Sequence, residues 1–282
     1  VGMAPRTELI IVKSGDDALP VTNVIDGMNY CGAIADRRDM PVVINMSLGV
    51  ESGPHDGTSF TDRAVNSFLE DEGSGTVVVT SAGNSGDVNM HLEASIASGD
   101  SADISFDVPS YTPRAESNND DLALDIWFDG TPTVRADVYA GDSLLFSQEP
   151  GGANTRETSL GTIHIDNDID PLNSDRNIHV EIYDSTAAVT PQAGTWTVRL
   201  LNTSDAAADF HSWLHDYSIG QTPTTVAITG GDAAYTVNSP GTAERAITVG
   251  SYVHRWLWRT KGGDDLVYSN DTNASDDISP FS

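Results

Sequence analysis

Two runs, VVINMSLG (residues 42 to 49) and VVVTSAGNSG (77 to 86), constrain this chain more than any other feature. Each is a short apolar stretch rich in β-branched residues that stops at small polar residues and glycine. An apolar run without alternation reads as a strand buried on both faces. Between the two, Phe60, Ala64, Val65, Phe68 and Leu69 recur at helical spacing, and Gly73 and Gly75 close the stretch. Upstream, ELIIVK (8 to 13) reads as another short buried strand, followed by a helical stripe of Val21, Val24, Ile25, Met28, Cys31 and Ala35. The order β-α-β-α-β predicts an α/β fold, a parallel sheet covered by helices on its faces. Ligands of such sheets collect beyond the carboxyl ends of the strands, so the small residues that end both runs read as walls of a site.

After about His91 the texture changes. ADISFDV, LALDIWF, TVRADVYA, SLGTIHI, NIHVEIY, GTWTVRLLN and DFHSWLHDYSI alternate in polarity between Gly, Pro, Asn and Asp clusters, which predicts an antiparallel β-sandwich of about seven or eight strands. RAITVGS (245 to 251) then returns to the style of a buried strand. The expected organisation is an α/β core over 1–90 and 228–282 with a β-sandwich inserted over 91–227, which is physically easy where the insertion point is a surface loop with close ends.

The net charge is −28, and the inserted segment carries −17 of it, with 22 acids against 5 bases. Such a field repels nucleic acid and anionic membranes, so neither is an expected partner. The bases are 12 Arg and only 2 Lys, Lys13 and Lys261; an Asp-heavy, Lys-poor surface suits solubility in salt or calcium-rich surroundings. Cys31 has no intrachain partner and sits in a helical pattern as a small core residue. No run is long and apolar enough for a membrane span, and the start VGMAPRTELI has no basic leader or apolar signal core. The chain begins mid-motif and ends on DISPFS, and so reads as a piece of something longer.

GMAPRTELIIVK, VVINMSLG, VVVTSAGNSG, SPGTAERAITVGS and ISPFS, in this order, resemble the consecutive landmarks of the subtilisin-like serine peptidases. The resemblance covers residues 1 to 90 and about 228 to 282. A sandwich after the Gly-Asn motif, together with GPHDGTS, further resembles the Csp-type clostridial subtilases, which carry a jelly-roll domain there. The resemblance implies that Asn84 donates its amide to the oxyanion of the tetrahedral intermediate, where one such donor is worth about 2.7 to 4 kcal/mol. Ser47, Leu48 and Gly49 match the strand that pairs with an extended polypeptide substrate, and Ser81, Ala82 and Gly83 match the facing wall. Ala-Gly-Asn after a strand is also an ordinary turn, and that alternative stands beside the functional one. Pro240 matches a proline whose preceding peptide bond is cis in the family.

The family's catalytic Asp and His motifs lie upstream of GMAP and its nucleophile downstream of ISPFS, so all three fall outside this chain. The expected activity is therefore that of a serine endopeptidase in the complete protein, with the piece alone inactive; a pseudoprotease or a binding module of the same fold is the alternative. No cofactor is expected, with calcium left open. The expected location is secreted or at a bacterial cell envelope.

PHDGTSF places His55, Asp56 and Ser59 within five residues, too close in sequence to reach one another as a linear triad. Ser59 with Asp62 reads as a capping pair for the helix that begins at Phe60. Asp166, Asp168 and Asp170 alternate as in a calcium loop, but Pro171 and Asn177 stand where an EF-hand needs Gly and Glu, so a solvated turn is expected. His211 and His215 fall on one face of a strand with no third ligand type nearby. Trp127, Trp196 and Trp213 read as sandwich core or as a sugar platform.

Overall fold

The structure, a computed structural model, describes residues 4–16, 19–221, 226–253, 257–267 and 277–282. Residues 1–3, where the first landmark begins, and residues 222–225, just before the expected boundary at 227, lie outside them.

Helix α1 (Val21–Arg38) starts directly after Pro20 and stops at Asp39, whose φ of 51° turns the chain. Its buried residues are Val24, Met28, Cys31 and Ala35, with Gly32 in addition. Cys31 is a buried free thiol whose pKa burial pushes up, as suits a core residue and not a nucleophile. Strand β1 (Val42–Met46) pairs in parallel with β2 (Thr76–Ser81) across helix α2 (Phe60–Glu72). Ser59 caps α2 by accepting the Asp62 N–H at 3.2 Å.

The two helices touch one another and share one face of the sheet, where Ile44, Met46 and Val78 meet Val24, Met28, Cys31, Val65 and Phe68. Among the described residues nothing covers the other face, where Val43 is 68% exposed, so the expectation of helices on both faces is corrected. Phe60, expected in the α2 stripe, is likewise an exposed residue. ELIIVK forms no strand at all. Residues 8–13 run beside α1, where Val12 packs against Gly27, and a cavity of about 1020 Å³ separates them from β1. A strand exists only as part of a hydrogen-bonded ladder, and this segment finds none, so Leu9 and Ile11 stay 81% and 88% exposed.

Ten strands follow: β3 (His91–Ile96), β4 (Ser101–Val108), β5 (Asp121–Phe128), β6 (Val134–Ala140), β7 (Ser143–Gln148), β8 (Gly152–Thr158), β9 (Gly161–Ile169), β10 (Arg176–Tyr183), β11 (Gly194–Asn202) and β12 (Ala208–Ser218). They build a six-stranded sheet in the order β3-β12-β5-β10-β9-β8 and a four-stranded sheet in the order β4-β11-β6-β7, antiparallel throughout. The two inner faces share one core that includes Phe106, Ile126, Phe128, Trp196 and Phe210. The seven segments read from the sequence fall short of the ten by β3, β7 and β8, three of the four strands at the sheet edges. Edge strands lack two-sided burial, and GANTRET, which forms β8, has no apolar alternation to read.

The way into this unit and the way out of it are tied together. His91 and Asp232 exchange two backbone hydrogen bonds, His91 N–H to the Asp232 carbonyl at 3.1 Å and the reverse at 2.8 Å. The chain then returns to β13 (Ile247–Val249), which extends the parallel sheet to the order β1-β2-β13. RAITVGS thus supplies a strand, but one at a sheet edge, with Ile247 and Val249 more than half exposed instead of buried. Short strands β14 (Tyr252–Val253), β15 (Leu257–Arg259), β16 (Asp265–Val267) and β17 (Asp277–Ile278) complete the described residues, with β14 paired to β17 and β15 to β16.

Candidate functional site

Because β1 and β2 are parallel neighbours, the residues that follow them leave the sheet at the same edge. Ser47, Leu48 and Gly49 follow β1; Ala82, Gly83 and Asn84 follow Ser81, the last residue of β2. The Ser81 hydroxyl donates to the Leu48 carbonyl at 3.4 Å. Ala82 is held from two sides, its N–H donating to Val249 at 3.1 Å and its carbonyl accepting from the Asn238 N–H at 3.2 Å. Gly83 has φ +110°, a conformation closed to most other residues. Asn84 lies beyond it, exposed at the same edge as Ser47 and Gly49. At the other side of this wall the Gly86 N–H donates to the Phe281 carbonyl at 3.0 Å, so residues 279–282 also end here.

Asn238 directly precedes the SPGTAERAITVGS landmark and carries no signal of its own in the sequence. Its amide is buried between the two walls. A Cβ placed on Gly49 would meet the Asn238 Nδ2 at 2.4 Å, and one on Gly83 would meet it at 3.2 Å. Glycine at both positions thus leaves room for this amide, whose Oδ1 has no hydrogen-bond partner among the described residues. Its backbone is fixed as well: the Gly241 N–H donates to the Asn238 carbonyl at 2.6 Å, and Ser239 exchanges two hydrogen bonds with Val50 at 2.8 and 3.2 Å. The Ser239–Pro240 peptide bond between them is cis. The chain that leaves Gly49 therefore continues directly into an antiparallel bridge with the segment that carries Asn238.

His55, Asp56 and Ser59 are each engaged elsewhere. The Ser59 hydroxyl donates to Asp62 at 2.6 Å, and Asp56 accepts from the Thr58 N–H at 2.8 Å and from its hydroxyl at 2.6 Å. Asp62 is fully buried, and burial raises its pKa against the hydrogen bonds of Ser59, Thr242 and Ser239. This group locks the start of α2 to the cis-proline turn. His55 turns away from it: its ring stacks on Trp213 with centroids 4.3 Å apart and planes 13° apart. The loop also donates its Gly53 N–H to Asp125 of β5 at 2.8 Å and accepts at Thr58 from Asn173 at 3.0 Å. GPHDGTS is therefore one contact between the α/β part and the six-stranded sheet.

Asp125 carries the strongest perturbation in that contact. Burial opposes its charge, yet the His179 imidazole 3.6 Å away and a hydrogen bond from the Asn177 amide at 2.7 Å outweigh it and hold the carboxyl at about 2. His211 and His215 share a face of β12 with Trp213, and the His211 Nδ1 lies 2.9 Å from the His91 Nε2, whose Nδ1 in turn lies 2.7 Å from Asp232. Among the described residues no group of three or more His, Cys, Asp or Glu side chains is placed to hold a metal ion. Asp170 accepts the N–H groups of Leu172 and Asn173, an Asx turn of the kind expected there. Trp196 is core, whereas Trp213, equally buried, is spent on the histidine contact.

The solved structure of the Clostridium perfringens CspB protease has the same fold, with a TM-score of 0.73 at 18% sequence identity, over 99% of this chain and 53% of that one. The chain thus spans about half the length of the structure it matches. A family model described as the subtilase family matches residues 1–208, a range that runs through most of the ten antiparallel strands as well as both helices. With the strand exits, the small-residue walls and this match together, the chain belongs to the subtilase family.

Proposed function

We propose that this chain is part of the catalytic domain of a subtilisin-like serine endopeptidase, in which it supplies the substrate-pairing strand and one oxyanion donor while Asp, His and Ser of the triad lie outside it. The supporting observation is the shared edge: Ser47–Gly49 and Ser81–Asn84 leave adjacent parallel strands side by side, with Asn84 exposed beyond them. An extended polypeptide would add to the Ser47–Gly49 backbone as a strand, its side chains lying against Ala82 and Gly83. A serine acylated by the substrate would develop an oxyanion, and the Asn84 amide would donate to it. Residues 91–227 would be an inserted, jelly-roll-like domain, with 1–90 and 228–282 as the subtilisin-like core. The similarity to a protease that carries more chain than this one supports the same assignment. No cofactor takes part in this scheme.

The test has two parts. The purified 282-residue chain should leave casein uncleaved, and robust cleavage surviving repurification would overturn the assignment of the triad. In the complete protein, Asn84→Ala should lower kcat by about 10² to 10³ with KM nearly unchanged, the signature of an interaction made in the transition state. A wild-type complete protein that binds peptides without cleaving them would favour a pseudoprotease.

A further inference from the structure

His55 has an environment that a structural histidine does not need. Its Nδ1 lies 2.8 Å from the Val237 carbonyl oxygen and its Nε2 lies 2.6 Å from that of Glu51. A neutral imidazole carries one N–H and can donate to only one of these; its other nitrogen then sets a lone pair against a carbonyl oxygen. The imidazolium donates to both. The two acceptors are also not arbitrary, since Glu51 is two residues beyond Gly49 and Val237 directly precedes Asn238. The ring lies flat on Trp213, a face that attracts a cation.

We propose that His55 is a positioning residue: protonated, it donates to the Glu51 and Val237 carbonyls together and clamps both walls of the site onto Trp213 of the sandwich. The inference rests on reading Ser47–Gly49 as the substrate strand. The charged and titratable groups around the ring are mixed. Glu51 on its own loop and Asp125 on β5 favour the proton, His215 on β12 disfavours it, and His91 and His211 lie across the Trp213 ring. The Glu51 carboxyl is itself held below its ordinary value by His215, so it remains an anion beside the ring as the medium acidifies. Burial is the largest influence on His55 and moves its pKa below the ordinary value of about 6.5. The clamp therefore closes as pH falls through that lowered pKa and opens as pH rises.

Nitrogen-15 NMR of the 282-residue chain tests the clamp without any assay of cleavage. His55 should gain its second N–H on acidification, and over the same range the Val50 and Ser239 amides should exchange at least tenfold more slowly than in His55→Gln at equal pH. A His55 that stays neutral wherever the chain is folded would overturn the proposal, as would identical exchange in the variant. The titration needs no variant, so a misfolded His55→Gln leaves it decisive. In the complete enzyme, His55→Gln should raise KM about tenfold at acidic pH, the effect of losing one charge-assisted hydrogen bond, with kcat within a factor of about two and the pH dependence of KM abolished. An unchanged KM profile would overturn the proposal; a wild-type enzyme that cleaves nothing would overturn the proteolytic reading, with the NMR still deciding the clamp.

Discussion

The antiparallel unit and the parallel sheet beside it differ in how completely each closes its own core. Among the described residues one cluster of 25 buried apolar side chains fills the space between the antiparallel sheets, Ile228 of the returning chain included, and the cluster of the α/β part has only nine. Each face of β5 and β12 has neighbours, whereas the three-stranded sheet has helices on one face, two edge strands and an open second face. Burial of apolar area is the main favourable contribution to folding, so the first unit is expected to be the more stable by a wide margin. Apolar strands alone do not make a core. They need a second layer.

The sharpest way to break this comparison is to damage one core and watch the other. Phe106→Ala removes a side chain only 1% exposed from the sandwich interior and should cost about 3 to 5 kcal/mol. In denaturant melts of the 282-residue chain it should move the later of two transitions and leave the earlier one in place. A single transition shifted as a whole would show that the two parts fold as one.

A smaller effect tests the contact between them. Asp125, at about 2 when folded against about 3.9 when unfolded, adds stability on the order of 2 kcal/mol that is present above pH ~3.9 and lost as pH falls towards 2. Its partner His179 acts in the opposite sense. Burial lowers the affinity of His179 for a proton, but the Asp125 carboxylate 3.6 Å away prevails and raises its pKa, so its share is present below pH ~6.5 and lost as pH rises through the raised value. Asp125→Asn should remove both dependences from the sandwich transition and, by weakening the bond to Gly53, separate the two transitions further. Melting curves across pH that coincide for wild type and variant would contradict the assignment.

The smallest effect serves as the control. Arg199 pairs with Asp103 through two hydrogen bonds of 2.7 Å each, but both side chains are 42% exposed. Arg199→Ala should cost only about 0 to 1 kcal/mol, measurable in the same melts. A larger loss would mean that the sandwich leans on its surface charges more than on its core.

What the sequence disclosed follows the same contrast. Central strands such as β5 and β10, buried by neighbours on both sides, were legible from alternation, while β3, β7 and β8 at the sheet edges were not. The helical stripes were legible because Val24, Met28, Val65 and Phe68 repeat at helical spacing, yet spacing could not say that both helices choose one face. ELIIVK misled because apolar content reports a preference for burial, and pairing depends on a partner elsewhere in the chain. At the site, the strand exits were legible from their small residues. Asn238 was hidden because its place is fixed by space that Gly49 and Gly83 leave empty, and a residue's vacancy for another is not written in its own neighbourhood.

The double hydrogen bond between His91 and Asp232 makes the sandwich a pendant on a closed stem. A long excursion whose two ends are pinned to each other transmits neither its length nor its internal motion to the chain on either side. The wall after Asn84 and the return towards Asn238 are separated by the width of one β-bridge, whatever hangs beyond it. Below the stem, the excursion reaches the site through the GPHDGTS contacts, through His215 beside Glu51 and through Trp213, whose indole N–H donates to the Tyr235 carbonyl at 3.0 Å. The molecule is thus exchangeable at one point and sensitive at another: a short turn across residues 91 and 232 would preserve the spacing of the walls, while what His55, Gly53, Thr58 and Glu51 take from the sandwich would be lost.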